Sequence, residues 1–109
     1  MAFDEALAAR VRKALTGRRG LTEKKMFGGL AFLLRGNMCC GVVGDELMVR
    51  VGQDSHDAAM AAPHVRPMDF TGRPLKGFVY VMPPGLARDR ALKAWVTKGA
   101  EFALSLPAK

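Results

Sequence analysis

Three apolar segments joined by two short turn signals lie in the middle of the chain. Residues 30–35, 38–43 and 47–51 are rich in the apolar residues that fill buried strands. Gly36-Asn37 separates the first two segments and Gly44-Asp45 the second two, as in two-residue hairpin turns. Connections this short join antiparallel neighbours, because parallel strands need a crossover of a dozen or more residues. The segment therefore predicts a three-stranded antiparallel meander, with its nearly all-apolar second strand in the interior of a sheet.

Helical and extended patterns flank this meander. The predicted elements are a helix over residues 3–15, a short helix from Asp54 or Ser55 to Ala62, strands over 65–68 and 78–82, a loop over 71–77 and a helix over 88–104. Residues 22–26 are expected to lead into a bend at Gly28-Gly29. The order is then α-β-β-β-α-β-β-α, and strands in runs favour a two-layer α+β fold. We expect a single domain over residues 1–109, with an antiparallel sheet of about five strands and helices.

Composition places the chain among ordinary globular domains. It has 109 residues, of which 50% are hydrophobic and 25% are charged. No apolar run approaches the roughly 18–20 residues that a membrane span needs. The chain opens with Met-Ala-Phe-Asp-Glu, which is acidic where a signal peptide is basic and apolar. We therefore expect a cytoplasmic protein that does not bind membranes.

The net charge of +7 is concentrated near the amino terminus. Residues 10–25 hold seven basic residues against Glu23 alone. A cluster of this kind attracts phosphate-rich polymers or an acidic protein surface, or it serves only as a solvated face. The nucleic-acid alternative assigns binding to Arg10, Lys13, Arg18 and Arg19. It is weakened because Arg12 points away from its neighbours on a helix and because the cluster has no aromatic residues to stack on bases.

The sequence lacks the usual catalytic signatures. Ser55-His56-Asp57 has the residue types of a hydrolase triad, but contiguous residues on one helical turn do not converge. Adjacent Cys39 and Cys40 are expected to point to opposite faces of a strand, which disfavours a shared metal, and at least one should pack in the core. A reactive thiol near Arg35 and Arg50 is the remote alternative. We expect no enzymatic activity, no cofactor and no metal.

A docking surface is expected on the sheet face opposite the helices. Alternation along the third strand of the meander places Met48 and Arg50 on that face, beside Arg35. Methionine and arginine are enriched at interfaces, and Lys24 and Lys25 would form a charged rim. The alternatives are that a helix covers this face too or that it is simply solvated.

Several motifs resemble the N-terminal domain of the TfoX/Sxy competence-regulator family, along essentially the whole chain. They are Lys25-Met26-Phe27-Gly28-Gly29, Gly36-Asn37-Met38-Cys39-Cys40-Gly41, Leu47-Met48-Val49-Arg50-Val51, Pro67-Met68, Gly77-Phe78 and Leu92-Lys93-Ala94-Trp95-Val96.

The resemblance implies a two-layer α+β fold in a stand-alone form of that domain. It also implies transcriptional control of DNA uptake, in which full-length members act with a cyclic-AMP receptor protein. It supplies no catalytic residue. The motif glycines Gly28, Gly29, Gly36 and Gly41 are interpreted as positions that backbone geometry requires. The expected function is a regulatory module whose partner is another protein of the transcription machinery.

Overall fold

A computed structural model describes residues 3–26, 28–68 and 76–107. Its elements are α1 (Glu5–Ala14), β1 (Leu21–Met26), β2 (Gly29–Leu34), β3 (Asn37–Val43), β4 (Glu46–Arg50), α2 (His56–Met60), β5 (Val65–Pro67), β6 (Phe78–Val81), a 3₁₀-helix (Pro83–Leu86) and α3 (Asp89–Ser105). The α+β class and the predicted meander are confirmed. Phe27 of the family-like motif and most of the predicted 71–77 loop lie outside the described residues.

The sheet has six antiparallel strands in the order β1-β2-β3-β4-β6-β5, one more than the sequence predicted. The additional strand is β1, which pairs with β2 along its whole length from Leu21↔Leu34 to Met26↔Gly29. Its four central residues are exposed, so β1 has no apolar face that could reveal it in the sequence. It is a strand because β2 offers a full row of backbone partners across a two-residue turn.

All three α-helices contribute to a core on one face of the sheet. Asp4 caps α1, because its Oδ1 accepts hydrogen bonds from the N–H groups of Ala6 and Leu7 at 2.9 and 3.1 Å. The buried residues of α1 and α3 follow the three-and-four spacing that the sequence shows. They are Leu7, Ala8, Val11, Leu92, Val96, Gly99, Ala100 and Ala103. None of the helices in the described residues is long and apolar enough to cross a bilayer.

The opposite face of the sheet carries a second, smaller apolar cluster. Met48, Met68 and Tyr80 form this cluster, and all three are buried. Arg66 lies over the Tyr80 ring at 4.4 Å and is paired with Glu46 at 2.8 Å. The prediction that Met48 is exposed for docking is therefore wrong. Alternation assigned its face correctly, but the segment that contains Met68 packs against that face.

A β-bulge interrupts the pairing of β2 with β3. Phe32 is opposite Cys40 and Leu33 is opposite Met38, so Cys39 is the extra residue. The bulge turns both thiols into the core on the helix side, where the two sulfur atoms are 3.8 Å apart. The expectation that the cysteines point to opposite faces is wrong, because simple alternation fails across a bulge.

Candidate interaction site at one end of the sheet

Five basic residues gather at one end of the sheet, which we call the basic end: Arg18, Arg19, Arg35, Arg50 and Lys76. The antiparallel order brings the last residues of β2 and β4 to the same end as the segments that precede β1 and β6. Backbone hydrogen bonds join these segments, from Arg35 N to Gly20 O at 3.0 Å and from Val51 N to Gly77 O at 2.8 Å. Residues far apart in the sequence thus form one basic region.

The cations of the basic end have no carboxylate partner among the described residues. The three ion pairs within the described residues use Arg10, Arg12 and Arg66, none of which belongs to the basic end. Arg19, Arg35 and Lys76 are exposed, whereas Arg18 and Arg50 are half-buried. Unneutralised charges of one sign, close together, raise the local potential and attract anionic groups.

Arg35 is displayed by a tight hairpin turn. Leu34 is opposite Asn37, so the two turn residues are Arg35 and Gly36, with φ of 54° and 83°. Positive φ at both positions is what a two-residue type I′ turn requires. The predicted turn at Gly36-Asn37 is therefore one residue too late. Asn37 instead belongs to β3, and its buried side chain donates a hydrogen bond to Pro107 O at 2.8 Å.

Arg50 is the most constrained cation of the basic end. Its guanidinium carbon lies 5.6 Å from the centre of the Phe78 ring and 5.2 Å from that of Phe102. Contacts of this kind contribute about 0.5–1 kcal/mol each at exposed sites. The sequence placed Phe102 on the apolar stripe of the last helix and Lys76 in a loop, and it linked neither to Arg50. The packing of α3 against the end of β4 brings Phe102 to Arg50, and the pairing of β4 with β6 brings Lys76 there.

Lys24 and Lys25 do not join Arg35 in one surface. Both are exposed on β1, where they pair with Ala31 and Leu30. They therefore lie along an edge of the sheet, towards the end opposite the basic end. The expected rim around Arg35 and Arg50 is formed instead by Arg18, Arg19 and Lys76.

The basic run over residues 10–25 is divided among separate surfaces. Arg10 donates hydrogen bonds to Leu86 O and to Asp89 at 2.8 and 3.0 Å. Arg12 forms a two-pronged pair with Glu23, at 2.6 and 2.9 Å. This pair raises the pKa of Arg12 and lowers the pKa of Glu23 below its ordinary value. Lys13 is exposed in the last turn of α1, whereas Arg10, the candidate for nucleic-acid binding one turn before it, is already engaged with Asp89.

The motif glycines occupy positions that restrict side chains in two ways. Gly28 and Gly36 have φ of 71° and 83°, in the region that glycine adopts most easily. Gly29 and Gly41 allow close approach between strands. A Cβ on Gly29 would overlap Val42 O, and one on Gly41 would lie 3.0 Å from Leu30 O. These four residues therefore serve the backbone geometry of the meander and of the turn that precedes it, and only Gly29 and Gly41 of the four are buried.

The cysteines and the histidine considered for catalysis are buried or already hydrogen-bonded. Cys39 and Cys40 are fully buried, and the pKa of Cys40 is raised by its hydrogen bond with Cys39 and by burial. His56 Nδ1 accepts a hydrogen bond from Gly77 N at 3.0 Å, which directs the ring towards a neighbouring loop. Within residues 3–26, 28–68 and 76–107, no three metal-ligating side chains are placed to hold an ion.

These features define the class of the protein as a small two-layer α+β domain with an open antiparallel sheet and a basic end. The family model of the TfoX N-terminal domain matches residues 13–103 of the 109-residue chain. The chain therefore belongs to the TfoX N-terminal domain family, and the resemblance seen in its sequence motifs is confirmed. A search of curated proteins returns no match, and a search of solved structures returns none either.

Proposed function

We propose that this domain is a non-enzymatic binding module that acts in transcriptional control by holding another protein. The observation that carries the proposal is the set of cations at the basic end that form no ion pair within the described residues. An acidic patch on a partner complements such a surface, speeds encounter and fixes orientation. Family membership supports a regulatory role, because the TfoX N-terminal domain is a domain of competence-related regulators.

The surroundings of the nucleophile candidates support a binding role over catalysis. Both thiols are buried in the core, whereas a reactive cysteine needs partial exposure. The hydrogen bond between them lowers the pKa of Cys39 and raises that of Cys40, but neither sulfur is open to a substrate. Ser55 and Asp57 are exposed on α2, beside a His56 ring that is already bonded to Gly77.

A protein partner is favoured over nucleic acid for a reason of charge. Arg10 and Arg12 are already neutralised by Asp89 and Glu23, so the basic run offers fewer free cations than its sequence shows. Duplex binding at physiological salt depends on several simultaneous phosphate contacts, and each contact uses a cation that is free to meet a phosphate. The cations of the basic end are gathered at one end of the sheet, an arrangement that suits an acidic surface on a protein.

The test is affinity capture with crosslinking from the native cytoplasm. The variant Arg35→Asn/Arg50→Gln removes two charges at the basic end, and Asn suits the left-handed conformation at position 35. The control Arg88→Gln/Arg90→Gln removes the same charge from exposed positions at the opposite end. We expect capture of a specific transcription protein to fall about tenfold in the first variant, in line with two lost ion pairs, and to persist in the control.

Two results would overturn the proposal. The first is equal capture by both variants while their unfolding curves match that of the wild type. The second is duplex DNA binding at low salt, lost in a Lys13→Gln/Arg18→Gln/Arg19→Gln variant, with no protein captured. That second result would establish the nucleic-acid alternative.

A further inference from the structure

A groove of about 570 Å³ opens beside Arg50. It is bounded by the end of β4 and the segment after it, by Lys76 and Gly77 before β6, and by the last turns of α3. Phe78 and Phe102 contribute aromatic walls, and Arg50, Lys76 and Asp54 contribute charged groups. The volume lies within the range of about 300–1,000 Å³ found for small-molecule sites.

The guanidinium of Arg50 is held in place before any ligand arrives. Its distances of 5.6 and 5.2 Å to the Phe78 and Phe102 rings restrict a side chain that is otherwise very flexible. Because no carboxylate within the described residues pairs with it, its N–H groups are available to a ligand. A planar, preorganised guanidinium matches a carboxylate with two parallel hydrogen bonds.

The walls of the groove are fastened to one another. Val51 N and Gly52 N both donate to Gly77 O, at 2.8 and 3.1 Å, and Gly77 N donates to His56 Nδ1. Phe102 packs where a side chain on Gly52 would be, since a Cβ there would lie 2.5 Å from its ring. Ordered walls lower the entropy cost of binding, so even a small ligand can be retained.

The charges and the rings together select the ligand. Among the charged residues of the described part of the chain that line the groove, Arg50 and Lys76 are opposed only by Asp54, which favours a single negative charge. The aromatic walls favour an apolar group next to that charge. We infer that this groove binds a carboxylate attached to an apolar group, either a free organic acid or the carboxylate of a peptide. The groove shares Arg50 and Lys76 with the basic end, but direct binding of a small probe tests it without any partner protein, so its failure is distinguishable from failure of the proposed function.

The test is a titration of the full chain, labelled with ¹⁵N, with benzoate and with its neutral analogue benzamide. We expect benzoate to cause saturable shifts at the amides of Gly52 and Gly77 and at the Arg50 Nε–H, and benzamide to cause none. Arg50→Gln should weaken benzoate binding about tenfold, as loss of a charge-assisted bidentate contact implies. The control Arg90→Gln, exposed at the start of α3, should leave benzoate binding unchanged.

The two sources of the carboxylate are separated with peptides that end in phenylalanine. If the free-acid peptide binds more strongly than benzoate and amidation of its terminus abolishes binding, the ligand is a peptide terminus. If benzoate binds more strongly than the peptide, the ligand is a small organic acid. Equal shifts with benzoate and benzamide, or equal benzoate affinity in Arg50→Gln, would overturn the inference. If Arg50→Gln does not fold, Lys76→Gln replaces it, and unchanged benzoate affinity in that variant would also count against the site.

Discussion

Replacing Gly99 with alanine adds one methyl group where helix α3 passes over strand β3. The Cβ of the new residue would overlap Cys39 O and lie 3.1 Å from the carbonyl carbon and 3.4 Å from Sγ. The obstructing atoms belong to the backbone of a bulge inside the sheet, which cannot move aside as a flexible side chain can. Helix α3 would have to withdraw by about 1 Å to restore ordinary contact distances.

Two opposing effects set the size of the change. Alanine in place of glycine favours the helix by about 1 kcal/mol. Overpacking a dense core costs about 1–3 kcal/mol, and the upper value applies here because Val96, Ala100 and Ala103 are withdrawn from the core together. We therefore expect Gly99→Ala to lower the free energy of unfolding by about 2 kcal/mol.

Urea unfolding followed by circular dichroism measures this difference. The matched control is Ala94→Gly, at an exposed position on the same helix, which should lose about 1 kcal/mol through helix propensity alone. Both substitutions should thus destabilise the protein although they change helix propensity in opposite directions. A Gly99→Ala variant more stable than the wild type would show that α3 does not press against Cys39, and the reasoning would fail.

Three further predictions concern single interactions. His56→Ala removes the acceptor of the Gly77 N–H group, so it should lower the free energy of unfolding by about 1–2 kcal/mol. It should also speed hydrogen exchange at the Gly77 amide, and an unchanged exchange rate would contradict this hydrogen bond. Glu23 has a lowered pKa because Arg12 donates hydrogen bonds to it. The contribution of this pair to the free energy of unfolding is therefore fully present above the ordinary pKa of 4.5 and is lost as the pH falls through the lowered value. Glu23→Gln should therefore cost about 0.5 kcal/mol at pH 7 and nothing in strong acid, and urea unfolding that shows the same difference at all pH values would refute this. Met48→Ala should cost about 2–5 kcal/mol in urea unfolding because the residue is buried, and a change within about 0.5 kcal/mol would contradict that burial.

Elements with a strong periodic pattern could be predicted from the sequence. The meander, both long helices and the short α2 were all expected, because apolar spacing and turn residues are local signals. Strand β1 was missed because its central residues, from Thr22 to Lys25, are exposed on both faces. A strand of that kind is specified by its neighbour, and a pattern of hydrophobic burial does not reveal it.

The candidate site was predicted only in part, because its parts meet through tertiary packing. Arg35 and Arg50 were identified from the sequence, and the sheet does place them at one end. Lys76 and Phe102 were not linked to them, since 52 positions separate Phe102 from Arg50 and only the path of α3 brings them together. Met48 shows the converse limit. Alternation fixes which face a residue occupies, and it says nothing about what lies over that face.

The two outer strands of the sheet also determine how this protein behaves at high concentration. Strand β1 carries Lys24 and Lys25 exposed along its length, and β5 has only three residues and ends at Pro67. A strand from another molecule that approached β1 would have to strip water from two ammonium groups, and at Pro67 it would find no N–H donor. The sheet can therefore remain open at both sides without templating fibrils, and changing the lysines to threonine or valine would remove that protection.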